Sequence, residues 1–157
     1  MKLNEEKLMK IKIKKLYEGA KMPSRGTSSA AGFDLYVPET TFLFRDIPQK
    51  VRTGLAFEIP EGYVGVVYSR SSSARDGIVI APLLVDSDYR GEVYVLATYL
   101  GEVELDNPRK MGGSLKIEAG ERIAQIRIEK LVDTEYEWAD ELSSTARDSG
   151  GFGSTGR

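Results

Sequence analysis

The chain contains no cysteine and no histidine. Without cysteine there is no disulfide and no thiolate metal site. Without histidine, Ser-His-Asp triads, Cys-His pairs and imidazole zinc centres are all excluded. Proton transfer then falls to Asp, Glu, Lys or Tyr, and any metal is a hard cation held by oxygen, such as Mg²⁺. No apolar run approaches the ~20 residues of a membrane-spanning helix. Residues 1–7 are charged and lack the apolar stretch of a signal peptide, so the expected location is intracellular and cytoplasmic, with the nucleus open to a eukaryotic source. The 22 basic residues are outweighed by 24 acidic ones, which gives no reason to expect a nucleic-acid partner.

What is present reads as β structure in one domain. The 157 residues suffice for one core. Ile11 and Ile13 alternate with lysines, and Leu55, Phe57 and Ile59 alternate ahead of a turn at Pro60-Glu61-Gly62. Residues 63–68 are β-branched and aromatic, and residues 92–98 follow a turn at Arg90-Gly91. Ala124, Ile126 and Ile128 are expected on one strand face, with Ile123, Gln125 and Arg127 on the other. Period-two alternation with Gly and Pro punctuation predicts a sandwich or barrel of short strands. Residues 71–76 alone tolerate a helix. Residues 1–10 read as an appendage, and residues 105–114 as an exposed loop.

Five segments are too polar or too glycine-rich for their surroundings. In Ser28-Ser-Ala-Ala-Gly32-Phe-Asp34-Leu35, Asp34 either caps its own turn or serves a site. In Ser69-Arg70-Ser71-Ser72-Ser73, the serines either cap a helical turn or join Arg70 in holding an anion. Asp86, in the run Val85-Asp-Ser-Asp-Tyr89-Arg-Gly91-Glu92, sits either in a solvated hairpin turn or at a site. Gln125 needs a hydrogen-bonding partner if buried. The fifth segment, residues 147–157, carries four glycines, Phe152, Ser154, Thr155 and an arginine at each end. Ordering glycine is entropically costly, so this stretch cannot build a core; it is a loose tail or one that a ligand orders. Its Gly151-Phe-Gly153-Ser-Thr-Gly156 matches a dinucleotide fingerprint. That fingerprint needs a preceding strand, a following helix and a later acidic residue, and only Arg157 follows here.

Taken together and in order, these segments resemble the five motifs of the trimeric dUTPase family, the deoxyuridine triphosphate nucleotidohydrolases. The matching runs are Ala31-Gly-Phe-Asp34-Leu35, Arg70-Ser-Ser72, Val85-Asp-Ser-Asp-Tyr-Arg-Gly91, Gly120-Glu-Arg-Ile-Ala-Gln125 and residues 147–156. Two positions depart from the family pattern: Ser69 stands where Pro or Gly is usual, and the run from Ala81 to Val85 lacks its usual glycine. The second motif also resembles dCTP deaminase of the same superfamily. That enzyme places a glutamate where this chain has Leu96, and a leucine cannot move a proton. A nucleotide-binding regulatory protein is the alternative from another class.

The resemblance implies an all-β, distorted jelly-roll or β-clip barrel over residues 1–146. It also implies a glycine-rich lid at residues 147–157, and a homotrimer with an exchanged C-terminal arm and shared active sites. The implied activity is hydrolysis of dUTP to dUMP and pyrophosphate with Mg²⁺, limiting uracil in DNA and supplying dUMP for thymidylate synthesis. Asp86 corresponds to the base that activates water, Gln125 to its co-holder, and Asp34 to a carboxylate near the metal waters and arginines. No residue is expected to ligate the metal directly; phosphates and water carry it. Arg70, Ser71 and Ser72 correspond to the α/β-phosphate holders. Arg147, Gly153, Ser154 and Thr155 correspond to the γ-phosphate closure, and Phe152 to a stack on uracil. Tyr89 corresponds to the ring beneath deoxyribose, and the hairpin from Asp86 to Val95 to the element that reads uracil.

Overall fold

The alternating segments fold as short strands, because each can bury only one side against a shared core. The structure, a computed structural model, describes residues 8–102 and 106–150. Among them are β1 (Lys12–Lys15), β2 (Phe33–Tyr36), β3 (Thr41–Phe44), β4 (Gln49–Arg52), β5 (Leu55–Glu58) and β6 (Tyr63–Ser69). One helical turn, α1 (Ser71–Arg75), precedes β7 (Ile78–Ala81), β8 (Leu83–Val85) and β9 (Tyr94–Tyr99). A 3₁₀ turn (Met111–Gly113) then leads into β10 (Ser114–Ile117) and β11 (Arg122–Lys130). The fold is the expected all-β distorted jelly roll. No helix among the described residues is long and apolar enough to cross a membrane.

The strands form four small sheets, in the orders β2-β11-β6-β8, β4-β9-β7, β1-β5 and β10-β3. Their inner faces meet in one core, in which Leu35, Leu43, Val67, Val95 and Tyr99 are fully buried. Each such aliphatic side chain contributes roughly 1.5–3 kcal/mol of burial. Gly77 closes the turn between α1 and β7 with φ 81°, and a side chain there would strike Gly101. Only glycine meets both demands.

Two expectations are corrected. Strict alternation puts Ile123 on the same face as Gln125 and Arg127. The β11–β2 register instead shifts between Arg122 and Ala124, so Ile123 and Ala124 are both buried. A β-bulge adds one residue and turns the side chains before it to the other face. Second, the segment from Asp86 to Val95 is not a ladder-paired hairpin. Its arms join different sheets: β8 pairs with β6, and β9 pairs with β4 and β7. The segment is a connection between sheets.

Candidate active site

The ladder β2-β11-β6 brings three of the sequence segments to one place. Gln125 lies directly opposite Asp34 on one side and Tyr68 on the other. Paired residues in such a ladder share a face, so Asp34 and Gln125 project together. Asp34 is buried, and its carboxylate accepts from both neighbouring arginines. Arg70 Nε donates to Oδ1 at 2.7 Å, and an Arg122 guanidinium nitrogen donates to Oδ2 at 3.4 Å. Arg70 also donates to Ser72 Oγ at 2.9 Å and to the Arg122 carbonyl at 3.4 Å. A cation held this way is aimed before any ligand arrives.

The bulge at Ile123 joins the second and fourth motifs. It presents the Ile123 carbonyl to the buried hydroxyl of Ser73, which donates at 2.8 Å. That bond pins α1, and with it Ser71 and Ser72, against β11. Gln125 Nε2 donates to the Ser69 carbonyl at 2.8 Å. A side chain at Gly32 would collide with the Gln125 amide oxygen, so Gly32 is what allows Gln125 its position. Arg70 and Ser72 border a cleft of about 800 Å³ that continues along α1 and the turn before β11. Five basic and three acidic side chains line it, an excess that suits a polyanion.

Asp86 and Tyr89 lie elsewhere. Val85 pairs with Gly65, so Asp86 follows at the level of Val64, whereas Gln125 is at the level of Tyr68. Four residues along a strand is about 13 Å, and two strand spacings across the sheet add about 10 Å. No single water molecule touches Asp86 and Gln125 of the same chain. Asp86 is exposed. Its carbonyl accepts from the Tyr89 amide at 3.1 Å, and Arg90 donates to the Ser87 carbonyl at 2.6 Å. Tyr89 is 45% exposed, with its hydroxyl donating to the Glu92 carbonyl at 3.0 Å. Its ring occupies the space a side chain at Gly91 would need.

Arg147 donates to the Gly150 carbonyl at 2.8 Å within its own turn, where Asp148 takes φ 45°. Phe152, Gly153, Ser154 and Thr155 lie outside the described residues.

Sequence reasoning missed three contributors: Arg122, Ser73 and Glu92. Arg122 and Ser73 stand inside motif segments, but nothing in alternation says which residue across the sheet they meet. Glu92 gives no local signal, because its partner Arg52 is 40 positions away. Burial is the strongest influence on the Glu92 carboxyl and pushes its pKa up. The Arg52 guanidinium, the Gly54 amide and the Tyr94 hydroxyl together outweigh burial and hold the carboxyl below the usual carboxylate range.

Among the described residues there is no group of three or more Asp or Glu able to hold a metal. The Asp34 oxygens already accept from Arg70 and Arg122. Such a set fits a hard cation held through water and a bound anion rather than by direct protein ligands.

Comparison with known proteins follows the same lines. A family model described as dUTPase matches residues 18–156. The deoxyuridine 5'-triphosphate nucleotidohydrolase of Hydrogenobaculum sp. is 40% identical over 152 residues, 94% of this chain and 99% of that protein. The enzyme of the same name from Solanum lycopersicum is 38% identical over 92% of this chain and 80% of its own. Among solved structures, the dUTPase of Staphylococcus bacteriophage 80alpha with dUPNHPP superposes with a TM-score of 0.82 at 30% identity, over 94% of this chain and 99% of that one. A mutant dUTPase from phage phi11 of S. aureus, described with a structural Mg(II) ion, gives 0.73 at 28% identity, over 85% and 99%.

Proposed function

The chain belongs to the dUTPase family, and from that premise we propose how its residues hydrolyse dUTP to dUMP and pyrophosphate. The reaction removes dUTP before it reaches DNA and yields dUMP for thymidylate synthesis. The observation that carries the assignment is the prearranged cluster Asp34, Arg70, Ser72, Arg122 and Gln125 at the Ser69 end of β6.

Arg70, Ser71 and Ser72 receive the α- and β-phosphates. Asp34 holds Arg70 in place, and Arg122 shares that carboxylate. Each charge-assisted contact contributes about 1.5–3 kcal/mol. Mg²⁺, when bound by the phosphates, offsets their charge and that of the leaving pyrophosphate. Asp86 takes a proton from water as the water oxygen bonds to the α-phosphorus, and the bond from that phosphorus to the bridging oxygen breaks. Gln125 helps fix the water. A carboxylate is a weak base at neutral pH, so positioning supplies much of the rate. Tyr89 lies beneath the deoxyribose and leaves no room for a 2′-hydroxyl, and the Asp86–Val95 backbone reads uracil. Arg147 with Gly153, Ser154 and Thr155 covers the γ-phosphate, and Phe152 covers the base. Residues 147–157 thus act as a lid on a body formed by residues 1–146.

The separation of Asp86 from Gln125 supports sites assembled from several chains. A homotrimer meets the need when the first, second and fourth motifs of one chain face the third motif of a neighbour, and the tail of a third chain closes over both. Residues 131–142 support an exchanged arm. They follow β11 without regular structure, and over residues 132–138 Val132, Tyr136 and Trp138 are exposed at even positions while acidic Asp133, Glu135 and Glu137 take the odd ones. An exposed two-faced extended segment suits pairing with another copy.

The deaminase reading is not favoured. Leu96 is paired between Lys50 and Ala81, β9 carries no carboxylate, and Glu92 is committed to Arg52. Product analysis with dUTP, dCTP, dTTP and UTP tests the assignment. Pyrophosphate released from dUTP alone is expected; ammonia released from dCTP would overturn it.

A further inference from the structure

The loop that carries Asp86 and Tyr89 is tied to the body of the fold at its far end through Glu92 and Val93. The Glu92 side chain is only 10% exposed. Arg52 grips its carboxylate in a fork, from Nε at 3.2 Å and a terminal nitrogen at 3.1 Å, and the Gly54 amide donates to it at 2.8 Å. Arg52 is itself fixed. Its guanidinium lies 4.4 Å from the centre of the Tyr17 ring and 3.7 Å from a Glu39 oxygen. The next residue is stitched to the same strands: the Val93 amide donates to the Leu55 carbonyl, and the buried Thr53 hydroxyl donates to the Val93 carbonyl. From this anchor the Glu92 carbonyl reaches out and accepts the Tyr89 hydroxyl.

We propose that Arg52 is a positioning residue for nucleotide sugar selection, acting through Glu92 to hold the Tyr89 ring at the depth that admits deoxyribose and rejects ribose. The inference rests on the assignment of Tyr89 to the sugar and extends it to residues that touch no substrate. Neither Arg52 nor Glu92 lies in the phosphate-holding cluster. Their route to Tyr89 runs through the Glu92 carbonyl and the Tyr89 hydroxyl. Were the fork lost, Glu92 would be drawn toward water, its carbonyl would shift, and the ring would no longer be held against Gly91. Discrimination by exclusion of one small group is worth about 10- to 200-fold, and it depends on a wall that does not yield.

The test measures kcat and KM for dUTP and UTP on the full-length protein carrying Arg52→Met, Arg52→Lys, Glu92→Gln or Tyr89→Ala. Arg52→Met keeps the stem over Tyr17 and removes the fork. The expected result is that the preference for dUTP over UTP, as the ratio of kcat/KM values, falls about tenfold in Arg52→Met. The change should lie mainly in a lowered KM for UTP, with kcat for dUTP within about twofold of the parent. Arg52→Lys and Glu92→Gln each keep one bond to the partner and should fall between. A merely structural role would lower the melting temperature and leave the ratio alone, so an unchanged ratio in Arg52→Met overturns the proposal. Tyr89→Ala separates the two levels. If it abolishes the preference while Arg52→Met does not, the positioning role fails and the sugar assignment stands. If Tyr89→Ala leaves the preference intact, the assignment and the inference fall together.

Discussion

The two ends of β6 carry different kinds of chemistry and are built differently. At the Ser69 end, Asp34 and Arg70 are largely buried, and their polar groups are already engaged with one another and with Arg122, Ser72 and the Ser69 carbonyl. At the other end, beside Val64, Asp86 is exposed and its loop is held by backbone bonds and by Glu92. A polyanion can be received by groups fixed in advance, because its charge needs only a fixed opposing field. A water molecule to be activated must meet its base and its phosphorus together, and the described chain keeps Asp86 about 13 Å along the strands and about two strand spacings across from Gln125. On the proposed assignment, one chain completes the anion-holding half and offers the water-activating half to a neighbour.

The largest expected effect falls on the exposed end. Asp86→Asn should lower kcat for dUTP by about 10²- to 10⁴-fold while titration with a non-hydrolysable dUTP analogue shows near-normal affinity; a variant that turns over normally removes Asp86 as the base. Deletion of residues 147–157 should leave the fold and assembly intact, as read by circular dichroism and sedimentation. It should cost hydrolysis about 100-fold, since one charge-assisted phosphate contact alone contributes about 1.5–3 kcal/mol. Full activity in the truncated protein would refute the lid.

At the buried end the first consequence is stability. Asp34→Ala leaves Arg70 facing no carboxylate and should lower the unfolding free energy by about 1.5–3 kcal/mol, measured by urea denaturation. Asp86→Asn measured the same way should change little, and an equal loss at both ends would erase the distinction between them. The smallest effect concerns pH. The Glu92 carboxyl is held below its unfolded pKa. Its contribution to stability is therefore present above the unfolded value and is lost as pH falls through the lower folded value. Glu92→Gln should be less stable than the parent at neutral pH and converge with it in acid. A gap that widens in acid would contradict the assigned direction.

Much of this was legible in the sequence. Alternation at Leu55, Phe57 and Ile59, and the β-branched run from residue 63, gave strands where the structure has β5 and β6. Asp34 and Gln125 stand out as polar groups in apolar runs, and Arg70 and Ser72 as anion holders; the structure joins Asp34, Arg70 and Ser72 to one another and Gln125 to the neighbouring Ser69 carbonyl. Other features could not be read locally. In β3, Phe42 and Phe44 are exposed and flank buried Leu43, so hydrophobicity shows no alternation there. The bulge at Ile123 breaks the period without any Gly or Pro to mark it. Arg122 and Glu92 take partners 88 and 40 positions away, and pairing at that range is set by sheet order rather than by neighbours in sequence.

Subunit complementation tests the division of the site most directly. Asp86→Asn and Arg70→Ala chains, each nearly inactive alone, are unfolded together, refolded at equal ratio and assayed for pyrophosphate release from dUTP. If Arg70 of one chain works with Asp86 of another, about one-quarter of the sites in randomly mixed assemblies carry both intact groups, and activity should return toward about a quarter of the parent's. If the mixture, shown by mass spectrometry to contain mixed assemblies, stays as inactive as its components, both groups act within a single chain and the divided site is wrong.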